Sequence, residues 1–389
     1  MRRFISILTA LALLLSTPLL LYGCGGDGTI DYEGVTLRQN ADGKTYNVVG
    51  VYHVENGRLF IPATYNGAPI VEIEAVTGDY SSVVIEDGVQ KIGDGAFFGS
   101  DRLTAITIPG SVKEIGEGAF VWCDRLTEVT IHEGVERIGK KAFEKCAALQ
   151  SITLPDSLKV IGDEAFDECA LLETVHFGSG LEEIGTMAFG FCSSLCEVVL
   201  PSTLKSVGYN AFHYCTSLRS VMMNDGDEVT FDTGAFEGCT SLSYIYLPNG
   251  LMRLPDNTFE NCTSLVGVSI PAGVTSIGIS AFRGCTALNS LYLPEGLQRM
   301  EGYAFEGCTA LTSVILPDSL TEIGCAAFSG CSALERVYLG AGLTFLDNDV
   351  FQHCTSLTEM HYPGTEEAWS AIRFDDKNPP RPTHFESRP

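Results

Sequence analysis

Apolar residues return along most of this chain in one fixed order. A representative unit places Leu311, Val314 and Leu316 around polar or outward positions, then Pro317, then Leu320 and Ile323, then Gly324, and finally Ala327 and Phe328. The L-x-x-V-x-L part predicts a short strand with alternate side chains inward. Pro317 lacks a backbone donor and is expected to end that strand. Leu320 and Ile323 return to the interior, Gly324 is read as a tight bend, and Ala327-Phe328 as a helical turn bringing a ring into the core.

The phenylalanine marks the period. It recurs at Phe97, Phe120, Phe143, Phe166, Phe189, Phe212, Phe236, Phe259, Phe282, Phe305, Phe328 and Phe351, with 23 residues between neighbours except for 24 between Phe212 and Phe236. A Cys follows three residues after each Phe from Cys123 to Cys354, with Ser100 in its place in the first unit. One such unit cannot close a core, but stacked copies share one. Parallel strands about 4.8 Å apart would carry 12 coils over roughly 58 Å. The pattern therefore predicts a right-handed solenoid with one continuous parallel β-sheet along a face and short helical turns elsewhere.

The run I-P-x-S-V-x-x-I-G-x-x-A-F-x-x-C-x-x-L, from about Ile61 to Tyr362, resembles the BspA-like leucine-rich repeats of bacterial surface proteins. The resemblance implies a leucine-rich-repeat solenoid displayed on the cell surface and used to bind other proteins. It names no partner.

Outside the repeats the chain divides further. Met1, Arg2 and Arg3 precede a hydrophobic run, Phe4 to Leu21, that ends in Leu21-Tyr22-Gly23-Cys24. This has the shape of a secretory signal and resembles the bacterial lipoprotein box, which implies residues 1–23 as a signal peptide and Cys24 as the lipidated residue. An ordinary signal peptide or an uncleaved anchor is the alternative. Each buried methylene of an acyl chain contributes about 0.8 kcal/mol, so two or three chains would anchor the protein firmly. Residues 24–45, opening with Gly25, Gly26, Asp27 and Gly28, are read as a flexible tether. Residues 46–96 are read as an N-terminal cap, with a hairpin turning at Glu55-Asn56-Gly57 and two degenerate coils, and residues 97–362 as the repeats. Residues 363–389 are read as a C-terminal capping helix with Thr365 at its N-cap and Trp369 and Ile372 facing the last coil, followed by a loose tail from Asp375.

Charge excludes one class of partner. The chain has 24 Lys+Arg against 49 Asp+Glu, a net charge of −25, so no nucleic-acid ligand is expected. Of the 14 cysteines, 11 hold the ladder position and Cys24, Cys196 and Cys325 complete the set. A spacing of 23 is no metal motif, so no metal site is expected. Stacked in register, the ladder thiols point alongside each other, which suits small buried hydrophobes better than disulfides between coils. Many free thiols in an exported protein suggest an anaerobic or reducing habitat. The acidic run Asn224-Asp225-Gly226-Asp227-Glu228 fails the EF-hand pattern and is read as a solvated turn. The seven histidines form no H-E-x-x-H, no G-x-S-x-G elbow is present and no glycine-rich loop opens a helix. No enzymatic activity and no cofactor are expected.

The candidate site is the outward position of each strand. It reads Thr107, Thr130, Thr153, His176, Val199, Met222, Tyr246, Ser269, Tyr292, Ile315, Tyr338 and His361. From Val199 the column turns apolar and aromatic, Tyr244 joins it from the neighbouring column, and Tyr246, Tyr292 and Tyr338 would recur every ~10 Å. Such a stripe on a solvent-facing sheet suits a protein partner, with Tyr anchors. High strand propensity of Tyr, Val and Ile is the competing explanation. The expected function is a lipid-anchored protein at the bacterial cell surface, binding a protein partner in adhesion or host and cell interaction. The alternatives are a carbohydrate-binding surface protein, in which glycan rings stack on the tyrosines, and a purely structural envelope component.

Overall fold

The computed structural model describes residues 28–223, 229–375 and 381–385. The span read as a signal peptide, Cys24 and the acidic run at 224–228 lie outside the described residues. Successive coils repeat one path, and the 23-residue offset is visible in most pairings between repeat coils: Val129 lies opposite Ile106 and Thr130 opposite Thr107.

Each coil contributes to two parallel ladders rather than the one expected. The first contains the longer strands, such as Ala105–Ile108, Glu128–Ile131 and Glu197–Leu200, with alternating buried and exposed residues. It is hydrogen-bonded in four stretches, the breaks falling after Ile131, Ile245 and Tyr292. The second is made of two-residue strands, Glu114–Ile115, Arg137–Ile138, Val160–Ile161 and their successors, whose Ile or Val is buried. Leu320 and Ile323 were placed in the interior correctly, but the short extended pair containing Ile323 was not recognised as a strand.

The Ala-Phe segment is not helical. Two residues before and two after every Phe marker have positive φ, from Gly95 and Gly99 to Asp349 and His353, and most of these are not glycine. Between them the amides alternate. Lys141, Phe143 and Lys145 N–H donate to the carbonyls of Asp163, Ala165 and Asp167 in the next coil, at 2.7–2.8 Å, while Ala142, Glu144 and Cys146 N–H donate three residues back within their own coil. The turn is thus a third inter-coil ladder. Its amides donate forward along the solenoid, opposite to the Gly139 N–H, which donates back to the Ile115 carbonyl. Left-handed residues cost energy unless their surroundings fix them, and this ladder supplies the fixing bonds.

Inside the turn arc the 12 Phe rings form one column. Neighbouring centroids are 4.9–5.8 Å apart, with planes within 11° of parallel except for 26° between Phe259 and Phe282. The ladder cysteines have a related task. Every one donates its Sγ–H to the carbonyl of the preceding coil's Phe, from Cys123 to Phe97 (3.2 Å) through Cys354 to Phe328 (3.1 Å). The same carbonyl already accepts the N–H three residues on, as Phe143 does from Cys146, so the thiol occupies its second lone pair. Burial pushes the Cys123, Cys239 and Cys308 thiols up to about 12, which keeps them neutral. The 13 described cysteines are unbridged, in keeping with the packing argument.

The glycine of the I-G step owes its place to close approach and not to a bend. A Cβ at Gly324 would lie 2.5 Å from the Gly302 nitrogen, and one at Gly139 would lie 2.7 Å from the Ile115 carbonyl oxygen. Four of the coils from Gly93 onward depart from this, with Asp232, Pro255, Glu301 and Asp347 at that position; Asp232, Glu301 and Asp347 keep the N–H bond to the preceding coil, and the Pro255 coil does not. Pro255 takes the glycine's position and has no N–H to match the Gly278-to-Leu254 bond of the next coil. There the second ladder stops at Thr230–Phe231 and restarts at Arg253–Leu254.

The ends differ from the sequence reading in three places. Thr29–Tyr32 and Val35–Gln39, inside the span read as a tether, are strands, and they form an antiparallel meander with Tyr46–Val51. The expected hairpin around Asn56 is absent among the described residues, because Tyr46–Val51 pairs with Ala68–Ile73 and Arg58–Ile61 with Ser82–Ile85, each in parallel. Only a bridge from Glu55 to Arg58 closes that turn. At the far end, the helix Glu366–Ser370 has Thr365 as its N-cap, accepting from the Ala368 N–H, and Trp369 and Ile372 are buried as expected. The span read as a loose tail includes one more strand, His384–Phe385, paired with Glu359–Tyr362.

Candidate functional site

The first ladder positions the candidate column. Its strands bury every second residue, so the residue between two inward apolar positions must face outward, and parallel pairing at a constant offset aligns these residues between coils. Val199 lies opposite Met222, Ser269 opposite Tyr292, and Ile315 opposite Tyr338. Val199, Met222, Tyr244, Tyr246, Tyr292 and Ile315 are exposed, Tyr292 most of all at 65%, whereas Tyr338 is half-buried. Two of the ladder's interruptions fall within this run, after Ile245 and after Tyr292, so its side chains share a face across three hydrogen-bonded stretches.

Tyr338 loses exposure because the column continues beyond it as a stack of rings. Its ring lies 4.6 Å from that of His361, which lies 4.5 Å from that of His384, all nearly parallel. The sequence reading included His361 in the column but missed His384, whose strand lies in the span taken for a tail. The earlier coils carry the small polar residues Thr107, Thr130 and Thr153, and His176 and His361 are eight coils apart, as expected from their register.

A second set of exposed rings was missed. On the turn arc, the left-handed positions hold Trp122, Phe191 and Tyr214. Phe191 stacks on Tyr214 at 5.7 Å, His213 meets Tyr214 edge-on at 4.4 Å, and Lys145 lies 5.2 Å above the Trp122 ring. Burial lowers the His213 pKa, favouring its neutral form. The signal was available as the residue two after each Phe, once that position is known to face outward. The same arc also brings together three carboxylates, Glu144, Glu164 and Asp167.

Comparison with known proteins agrees with this architecture. The model of the BspA type leucine rich repeat region matches in six copies spanning residues 76–193, 159–286 and 253–378. A leucine rich cell surface protein from Faecalibacterium prausnitzii is similar in structure, with 27% identity, a TM-score of 0.51, and coverage of 88% of this chain and 97% of its own. A leucine-rich repeat protein from Bacteroides ovatus shows 26% identity and a TM-score of 0.60 over 90% of this chain and all of its own. The pneumococcal vaccine antigen PcpA shares the fold at 20% identity and a TM-score of 0.50, over 90% of this chain and 88% of its own. No curated protein matches in sequence. With its repeats, its turn ladder and its Phe column all in the matched span, the chain belongs to the family of BspA-type leucine-rich repeat proteins.

Proposed function

We propose that this protein is exported, held at the bacterial cell surface by lipid on Cys24, and binds a protein partner across the exposed face of its first ladder. Val199, Met222, Tyr244, Tyr246, Tyr292, Ile315 and Tyr338 are the contact residues. The observation that carries the reading is the run of large apolar side chains left in solvent, in register, on a rigid frame. Three inter-coil ladders and a continuous ring column hold that frame, so little ordering cost falls on binding. The similar surface protein of Faecalibacterium prausnitzii supports the location.

The test is a pull-down from host extracellular matrix and co-resident bacteria, with wild type beside a Tyr246→Thr, Tyr292→Thr, Tyr338→Thr triple variant. A protein retained by wild type and lost by the variant supports both the function and the face. Equal retention moves the contact elsewhere on the solenoid. Capture of glycans on an array, with no protein retained, replaces the protein partner by a carbohydrate. For the anchor, Cys24→Ala is expected to release the protein from the membrane fraction, and a variant that stays bound refutes lipidation there.

A further inference from the structure

The turn arc carries a polar feature that the partner-binding reading does not use. Glu144 and Asp167 follow the Phe marker in two consecutive coils and are both buried, and half-buried Glu164 stands beside them. One oxygen of each carboxylate lies within 4.8 Å of the others. Lysines compensate part of this charge. Lys141 Nζ is 3.2 Å from Glu144 and 2.8 Å from Glu164, Lys145 Nζ is 3.6 Å from Glu144 and 3.4 Å from Glu168, and Lys140 Nζ is 3.9 Å from Glu164.

Asp167 is the residue that these ion pairs leave out. It is only 6% exposed, and its Oδ1 is buried with no hydrogen-bond partner. Burial, with the negative charges of Glu168, Glu144 and Glu164, pushes its carboxyl up to about 7. A buried carboxylate oxygen with no partner is costly and calls for an explanation. The next coil leaves room for it. Gly190 takes the equivalent position, and a Cβ there would lie 2.5 Å from Asp167 Oδ1. No positive φ requires glycine at 190, so the space it leaves is what distinguishes it.

We propose that Glu144, Glu164 and Asp167 bind a hard divalent cation, with calcium preferred to magnesium. The donor set is all oxygen, which excludes the softer metals. Calcium accepts many oxygens in flexible geometry, whereas magnesium demands a near-ideal octahedron and gives up its waters reluctantly. The ion meets the buried Asp167 carboxylate, which the lysines leave unpaired, and displaces the Lys141 ammonium from between Glu144 and Glu164. It thereby ties the Phe143 coil to the Phe166 coil. Competition from the lysines places the affinity in the ~0.1–1 mM range of extracellular calcium modules.

The experiment is a titration of the full chain with calcium and with magnesium by calorimetry. Terbium luminescence sensitised through Trp122, next to Lys145, serves as a second readout. One ion per chain is expected, with calcium bound more tightly. Asp167→Asn should weaken binding by at least about tenfold, the scale set by lost support at metal sites. Lys141→Gln, which leaves all three carboxylates in place, should tighten it severalfold. The assignment is overturned by a wild type that takes up no calcium at ~10 mM, well above the module range. It is equally overturned if Asp167→Asn titrates like wild type or if Lys141→Gln weakens binding.

Discussion

Replacing Phe189 by Ala tests whether the ring column holds the solenoid together. The ring is fully buried and lies between Phe166 at 5.2 Å and Phe212 at 5.3 Å, with Phe177 edge-on at 5.6 Å. Loss of a buried Phe side chain costs about 3–5 kcal/mol, the cavity included. The backbone at this site cannot collapse inward, because its amides are fixed to the coil on each side, so the upper end of that range is expected. Phe351, at the end of the column, is half-buried and has one stacking neighbour, Phe328 at 5.7 Å. The same substitution there should cost roughly half as much, about 1.5–2.5 kcal/mol. Urea titration followed by far-UV circular dichroism measures both, and hydrogen exchange locates the opened coils, since a repeat array need not unfold in one step. Coupling should also fall off along the column. A Phe189→Leu, Phe212→Leu cycle is expected to show about 0.5–1.5 kcal/mol of interaction, and a Phe189→Leu, Phe305→Leu cycle close to none. Equal costs at Phe189 and Phe351, or equal coupling in the two cycles, would falsify the idea that stacking between neighbours carries the stability.

Three further outcomes follow from the same geometry. Iodoacetamide at pH 8 should label half-buried Cys196 and Cys325 in the folded protein while sparing Cys123, Cys239 and Cys308, whose thiols burial holds near 12; peptide mass spectrometry that finds all of them labelled equally contradicts the inert ladder. Gly139→Ala should destabilise the protein by about 1–3 kcal/mol through overpacking against the Ile115 carbonyl, while Gly267→Ala, whose Cβ would come no nearer than 3.4 Å to the Ser290 carbonyl oxygen and whose φ is not left-handed, should cost less; thermal melts decide, and the reverse order refutes the close-approach argument. Backbone amides near Arg253 and Leu254 should exchange faster than those near Ser276 and Ile277, because Pro255 interrupts the ladder; uniform protection across both pairs excludes a weak joint there.

The repeat, the buried positions and the outward column could be read from residue types because each follows from a local rule. Alternation gives the strand faces, and a constant offset gives the stacking. The turn arc could not be read that way. Its left-handed positions hold Lys, Glu, Met, Asn, Tyr and Asp as well as Gly, so glycine alone does not mark them, and the bonds that fix them lie 22 residues away. The same distance hid the carboxylates. Glu144 and Asp167 look like two unrelated acids in a chain with 49, until the arc places them one coil apart with Gly190 beyond. The terminal strands were missed for another reason. Thr29–Gln39 is rich in Gly, Asp and Thr nearby, and His384–Phe385 follows a Pro-rich stretch, so local composition argued for loose chain while pairing with a finished edge argued for strand.

The division of labour within a coil bears on where binding can evolve. Phe, Ala, Cys and the I-G glycine each face the equivalent residue or the backbone of a neighbouring coil, so a change at any of them disturbs two joints. The outward strand residue touches only its column neighbours and solvent, and it varies from Thr to His, Val, Met, Tyr and Ile without any change in register. If strand propensity alone had chosen these residues, Thr would serve as well as Tyr, as it does at Thr107, Thr130 and Thr153. The apolar residues gather instead in the coils from Val199 onward, and Tyr292 keeps most of its surface in water. Folding gains little from a tyrosine held that way, since burial is what makes an apolar surface stabilising. The Tyr246→Thr, Tyr292→Thr double variant, which leaves the half-buried Tyr338 on its His361 stack, should therefore melt within a degree or two of wild type, surface substitutions being worth about 0.5 kcal/mol or less. A large drop in melting temperature would show that the stripe serves the sheet, and would remove the main reason for placing a partner there.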